Sequence, residues 1–232
     1  MLFRDRSEAG KLLAARMDHL KGSHNLLVLG LPRGGVVVAY EVAVALGAPL
    51  DVYITRKIGA PYNPELAIGA VAGDGTVVLD HNLISRLQVP EDYLEAETER
   101  QKREIQRRLQ AYRGRLEEPV VSDKTVVLVD DGVATGATVR ATLKALRQQR
   151  PARLVLAVPV GPAETIRQLA QEADEVVCLY APEMFWAVGA FYAEFDQTED
   201  EQVVRLLQDR AALLKGSGRD AGASETPQNS AG

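Results

Sequence analysis

Residues 126–139 read VVLVDDGVATGATV. Four apolar residues, Val126 to Val129, run straight into two adjacent acids, Asp130 and Asp131. The seven residues that follow, Gly132 to Thr138, are all glycine, valine, alanine or threonine. A short continuous apolar run is the pattern of a strand buried on both faces. Small side chains leave the backbone N–H groups of the loop bare. A helix starting near residue 138 adds its own unpaired N–H groups and the positive end of its dipole. Together these make an anion site, with Thr135 and Thr138 as extra hydroxyl donors. The two carboxylates at its rim repel a bare phosphate, so a divalent cation or donating sugar hydroxyls must accompany the anion. A ribose 5-phosphate carries its phosphate and its vicinal diol at that spacing.

The same pattern of strand, loop and helix extends on either side. Upstream, Leu26 to Leu29 is a second buried-strand run, broken by GLPRGG and followed by a helix that ends at Gly47. Leu50 to Thr55 is the next strand, which completes a strand, a crossover helix and a parallel strand. AIGAVAGDGTVVLD reads as a hairpin turning at Asp74-Gly75, and a long charged helix is expected over 91–113. Downstream come a helix at 138–149, a strand from Leu154 to Pro159, a helix at 163–172 and a strand from Glu175 to Tyr180. Ser7 is the expected cap of a first helix ended by Gly22, and Thr198 to Glu201 is a capping box that opens a last helix to about Leu214. These elements predict an α/β fold: an open, mainly parallel sheet with helices on both faces, a hairpin and flexible-loop insertion, and a small hood. Residues 1–215 are expected to form one domain. The tail 216–232 has almost no large apolar side chains and is expected to be disordered.

Composition narrows the function. The chain has 232 residues, 46% of them hydrophobic, a formal net charge of -5 and a pI near 5.4. An acidic surface argues against a nucleic-acid or acidic-membrane binder. The single cysteine, Cys178, lies in the apolar run EVVCLY and reads as a core residue, with no disulfide framework or zinc cluster. His19, His24 and His81 lack metal-ligand spacing. The N-terminal residues carry charge from Arg4 and no apolar signal region, and no apolar run reaches the ~18 residues of a membrane span, so a cytoplasmic location is expected.

Other phosphate loops fit poorly. A Walker loop needs lysine directly after its last glycine, where this chain has Ala137, and the spacing of GLPRGG does not match GxGxxG. VVLVDDGVATGAT instead resembles the phosphoribosyl-diphosphate (PRPP) signature of the type I phosphoribosyltransferases. The likeness extends from about residue 25 to about 195 in the order of strands and loops. It implies that Asp130 and Asp131 hold the ribose 2- and 3-hydroxyls, with Asp131 also close to the chemistry. It further implies that Ala134, Thr135, Gly136, Ala137 and Thr138 cradle the 5-phosphate.

The resemblance also assigns a place to the pyrophosphate leaving group. GLPRGG resembles the family's loop for it, with Gly34 and Gly35 allowing a close backbone approach and Arg33 offering a forked cation. Arg56 and Lys57 resemble the basic pair that the family places near the diphosphate. Residues 58–66, IGAPYNPEL, stand where the family has a mobile loop that closes over the reacting centre. Gly59, Pro61 and Pro64 argue against regular structure there, and Tyr62 and Glu65 are its candidates for covering or polarising that centre. Mg²⁺ is implied as cofactor, held mainly by the diphosphate and ribose of PRPP, with no dedicated protein ligands. Members acting on 6-oxopurines often carry an acid where this chain has Ala134, so the signature is closer to the adenine type. The aromatic segment from Phe185 to Phe195 is either a hood that stacks on a heterocycle or simple core packing. The expected partners are PRPP and an acceptor base, and the helix at 91–113 is either solvated or faces a second subunit in a homodimer. The expected function is Mg²⁺-dependent transfer of ribose 5-phosphate to a nitrogen heterocycle. A PRPP-binding regulator, or transfer to an amine or amide, remains as an alternative.

Overall fold

In the computed structural model, residues 2–114 and 119–220 are described, apart from the side chains of Glu65 and of residues 217–220. The main sheet has five strands, all parallel, in the order β2 (Leu50–Val52), β1 (Leu26–Gly30), β6 (Thr125–Val129), β7 (Arg153–Val160) and β8 (Glu175–Tyr180). The quoted stretch forms the central strand β6, registered from Leu26 opposite Thr125 to Gly30 opposite Val129. Alternation along the strands sends side chains to two separate cores. Leu27, Leu29, Val126, Leu128, Leu154 and Leu156 pack on one face beneath Leu143 and Leu146 of α5 (Ala137–Gln148). Val28, Val127, Val129 and Val155 pack on the other face, against Val38 and Val42 of α2 (Gly34–Leu46) and Leu13 of α1 (Arg6–Ala15). Both faces are covered, so the strands read as continuous apolar runs instead of alternating ones. Helix α6 (Ala163–Leu169) links β7 to β8.

A second, antiparallel sheet stands beside the first: β3 (Thr55–Ala60), β4 (Asn63–Ala72) and β5 (Val77–Leu79). After a short helix, α3 (His81–Arg86), the 23-residue α4 (Glu91–Arg113) packs across β3 and β4. Ile58, Ile68, Ile105, Leu109 and Tyr112 share a third core there with Val203 of α7 (Asp200–Asp220). The far end of α4 is tied to β2 by Arg113 Nε on Asp51 Oδ1 at 2.6 Å.

Several expectations change. The strand expected over 50–55 is two strands in different sheets, separated by the buried Tyr53 and Ile54. Residues 58–66 are not irregular: they form the tip of the β3–β4 hairpin, turning at Pro61-Tyr62. The ladder shifts register at Ile58/Gly59 and Gly59/Ala60, the kind of bulge at which a strand accommodates glycine and proline. The cap of α1 is Asp5, which accepts from Glu8 N at 2.7 Å, while the Ser7 hydroxyl donates to Glu41 on α2 at 2.5 Å. That helix stops at Ala15, with a separate 3-10 turn at Asp18–Leu20 before Gly22. Helix α7 continues through Gly216 to Asp220, so the expected boundary at 215 falls inside it, and the rest of the tail lies outside the described residues. Among the described residues no helix is long and apolar enough to cross a membrane.

Candidate active site

The site lies at the C-terminal ends of β1 and β6, where the two central strands release their loops. It is a cleft of about 370 Å³ between the main sheet, the hairpin and α4. Asp130 and Thr138 line one wall, and Thr55, Arg56, Lys57, Glu97, Arg100, Gln101 and Arg108 line the other. Leu31 and Pro32 of the GLPRGG loop form part of the floor, beside a cis Pro32–Arg33 peptide bond.

On the first wall, Gly136 sits at φ 72°, a left-handed conformation that favours glycine, and caps α5. The turn it makes leaves Ala134, Thr135 and Thr138 exposed over the first N–H groups of the helix. Thr165 Oγ1 donates to Ala134 O at 3.0 Å and steadies the loop from α6. The Asp130 carboxyl is pushed well above the usual range, first by burial and then by the neighbouring Asp131 charge. Its Oδ1 accepts from Asp131 N at 2.9 Å. Asp131 is not among the residues lining the cleft; it pairs with Arg6 instead.

Gly34 and Gly35 have close neighbours within the protein. They press against the acids: a Cβ on Gly34 would lie 2.0 Å from Asp131 Oδ2, and one on Gly35 would lie 2.8 Å from Asp130 Oδ1. These glycines allow a close approach between two loops of the protein. Arg33 turns away toward α7, with Nη1 at 3.7 Å from Glu199 Oε2 and 3.8 Å from Asp200 Oδ1. Asp200 also accepts from Tyr112 OH at 2.8 Å, and burial raises that phenol to about 12.

The second wall is basic. Arg56 Nε donates to Gln101 Oε1 at 2.9 Å, and Gln101 Nε2 donates to Glu97 Oε1 at 2.6 Å. The Arg56 guanidinium is half-buried; burial, then repulsion from Arg108 and Arg100, lowers its pKa. Glu97 is committed to Arg100 at 2.7 Å, and Glu104 to Arg107 and Arg108. Gln101 therefore orients Arg56 without pairing it with a charge, while Glu104 and Glu97 act on it from farther away. Thr55, only 8% exposed, has a hydroxyl with no hydrogen-bond partner among the described residues, and the residue lines the same cleft. A buried, unpaired hydroxyl costs free energy that a bound oxyanion would recover. Lys57, Gly59 and Pro64 also line this wall, and Tyr93 OH bonds Gly59 O at 3.0 Å, fastening α4 to the hairpin. The Glu65 side chain lies outside the described residues, and Tyr62 is fully exposed at the hairpin tip.

The aromatic segment divides. Phe185 stacks on Phe191 at 5.2 Å, and Phe191 meets Tyr180 edge-on at 5.7 Å, as packing requires. Trp186 and Met184 are 89% and 79% exposed on the same segment. Cys178 is partly buried, and burial raises its thiol to about 11, so it stays protonated at neutral pH.

Sequence reading missed Arg6, Thr55, Gln101, Arg100 and Arg108. The α4 residues did leave a trace. The apolar stripe Leu94, Ile105, Leu109, Tyr112 has a polar residue, Gln101, at the position that would continue it. Arg6 left none, because its contact with Asp131 spans 125 positions.

Comparison with known proteins shows the family. A protein of Mycobacterium tuberculosis, provisionally named a phosphoribosyl transferase, is 45% identical over 210 residues. That match covers 90% of this chain and 47% of the relative, so the chain spans about half the length of the curated relatives it matches. The crystal structure of TT1426 from Thermus thermophilus superposes with a TM-score of 0.81 at 46% identity, covering 90% of this chain and 99% of that one. The profile of the phosphoribosyl transferase domain matches residues 6–196. The chain belongs to the phosphoribosyl transferase domain family.

Proposed function

We propose that this chain transfers the ribose 5-phosphate of PRPP to a ring nitrogen of a planar acceptor, such as a nucleobase, with release of pyrophosphate. One observation carries the reading. A single cleft holds an acid beside a helix-capped small-residue loop on one wall, and a half-buried guanidinium whose direct partner is the neutral Gln101, with Glu104 and Glu97 acting on it only from beyond salt-bridge distance, on the other. PRPP has that polarity: a diol and a 5-phosphate at one end, a diphosphate at the other. In the reaction the C1–O bond breaks with its electron pair leaving on pyrophosphate, the acceptor nitrogen bonds C1, and the nitrogen loses its proton. Arg56, backed by Lys57, Arg100 and Arg108, stabilises the charge that builds on the leaving group. The loop from Ala134 to Thr138 and the Asp130 carboxylate hold the sugar in line. Gly59 and Pro64 of the hairpin border the cleft, and closure of the tip that carries Tyr62 would exclude water from the cationic sugar.

The residues present also suit Mg²⁺ carried by the substrate. Asp130, the acid of the first wall that faces the cleft, is the residue that would hold it. Held there with the substrate, the ion would supply charge neutralisation.

A second reading is a PRPP-binding regulator, favoured by Ala134: the loop carries no ionisable group to take the acceptor proton. Pyrophosphate release from PRPP and Mg²⁺ across a panel of purines, pyrimidines and ammonia separates the two. Release with one acceptor class supports transfer. PRPP binding without release from any acceptor favours the regulator.

A further inference from the structure

Helix α7 begins at Asp200, beyond the residues 6–196 that match the phosphoribosyl transferase domain. Its start nevertheless reaches the loop that floors the cleft. Arg33 follows Pro32, a residue of that floor, and its Nη1 lies 3.7 Å from Glu199 Oε2 and 3.8 Å from Asp200 Oδ1. Both separations exceed a hydrogen bond, so the guanidinium is held there by charge. The three side chains are partly open to solvent, 34% for Arg33, 64% for Glu199 and 41% for Asp200. An ion pair with that exposure is weak and readily exchanged.

The acids are the fixed partners in this contact. Asp200 accepts from Tyr112 OH of α4 at 2.8 Å. One turn further on, Val203 is fully buried in the third core. Arg210, only 6% exposed, anchors the helix again by donating Nε to Ala48 O at 2.8 Å. Against that anchored helix stands a long, unbranched arginine side chain, which can turn about its own bonds without moving the loop that carries it.

Building on the reading of the basic wall as a diphosphate site, we propose that the start of α7 is a built-in competitor for that ligand. Glu199 and Asp200 hold the Arg33 guanidinium toward α7. A diphosphate bound in the cleft carries more charge and can accept from both arms of the guanidinium, so it draws Arg33 across. Breaking the α7 contact offsets part of the binding, and the affinity is lower than the cleft alone would give. The two acids thus tune the site without lining it, from a helix outside the matched domain.

The test is calorimetric titration of inorganic pyrophosphate, with Mg²⁺, into the full chain, with ribose 5-phosphate titrated separately. Glu199→Gln combined with Asp200→Asn keeps the side-chain shapes and removes the charges. It tightens pyrophosphate binding by about two- to fivefold, the range that an exposed ion pair can return. Ribose 5-phosphate affinity stays at the parent value. Arg33→Gln weakens pyrophosphate binding, and in that background the two acid substitutions change nothing, because the competitor has lost what it held. Glu201→Gln, which removes an exposed acid of the same turn, leaves pyrophosphate affinity at the parent value. The proposal is overturned if the acid variant binds pyrophosphate no tighter than the parent. It is also overturned if the gain persists with Arg33→Gln or appears with Glu201→Gln, since the acids would then act through net charge alone. Equal losses for both ligands would show that the start of α7 supports the fold at large, and would overturn it too. A parent chain that binds no pyrophosphate overturns the reading of the basic wall itself, and the proposal with it.

Discussion

The acidic wall of the cleft comes from ten consecutive residues, Val129 to Thr138, whereas the basic wall joins Arg56 of β3 to Gln101 of α4 across 45 positions. On the first wall the backbone does the binding: small side chains, a left-handed glycine and a helix start leave N–H groups bare. On the second, side chains do it, and they must be oriented by other side chains. The contrast shows that a phosphate loop is a local device, while an uncompensated cation depends on tertiary packing. Arg56 keeps its charge available only because Gln101, a neutral acceptor, occupies the place where a glutamate would pair with it.

The largest expected effect breaks the acidic wall from behind. Gly34→Ala drives a methyl group to within 2.0 Å of Asp131 Oδ2 and 2.7 Å of Arg6 Nε. Overpacking of that kind costs about 1–3 kcal/mol. Chemical denaturation should show the loss, and ribose 5-phosphate binding should weaken while pyrophosphate binding is kept. On the basic wall, Gln101→Glu places a carboxylate on Arg56. The pair then neutralises itself, and pyrophosphate affinity falls by about tenfold, near 1.4 kcal/mol, with ribose 5-phosphate affinity unchanged.

The pH dependence of stability probes the acidic wall more gently. The folded chain holds the Asp130 proton more tightly than the unfolded chain does, because burial and Asp131 oppose its charge and Arg6 offsets them only in part. Stability contributed by this group is therefore full below the ordinary aspartate value and falls as pH rises through the raised folded value. Asp130→Asn should melt with the parent near about pH 4 and above it near about pH 8, even though it binds ribose 5-phosphate worse. The smallest effect belongs to Glu104, whose carboxyl is pulled down to about 2 by Arg107 and then Arg108. It is partly exposed on α4 between Arg107 and the cleft-lining Arg108, and such pairs contribute about 0–1 kcal/mol, present above the ordinary glutamate value and lost only as pH falls toward 2. Glu104→Gln should leave the melting temperature nearly unchanged at neutral pH while freeing Arg108 to tighten pyrophosphate binding slightly.

How much the sequence shows follows from the same contrast. The parallel sheet, the strand β6, the acids and the cap at Gly136 are all written in local periodicity and local turn chemistry. The hairpin tip was misread because proline and glycine usually break strands, and only the partner strand reveals the bulge that accommodates them. Arg33 reads as a phosphate ligand because it lies between a proline and two glycines. Its actual neighbours, Glu199 and Asp200, are more than 160 positions away and outside any local window. Thr55 was silent for the opposite reason: an unpaired hydroxyl is visible only once the fold has buried it.

One measurement tests the two-walled cleft most directly. PRPP, ribose 5-phosphate and pyrophosphate are titrated calorimetrically, with Mg²⁺, into the parent, Asp130→Asn and Arg56→Ala. The account predicts crossed losses of about tenfold or more: Asp130→Asn loses ribose 5-phosphate and keeps pyrophosphate, Arg56→Ala does the reverse, and both lose PRPP. Parallel losses of all three ligands in both variants, or PRPP affinity unchanged in either, would contradict it.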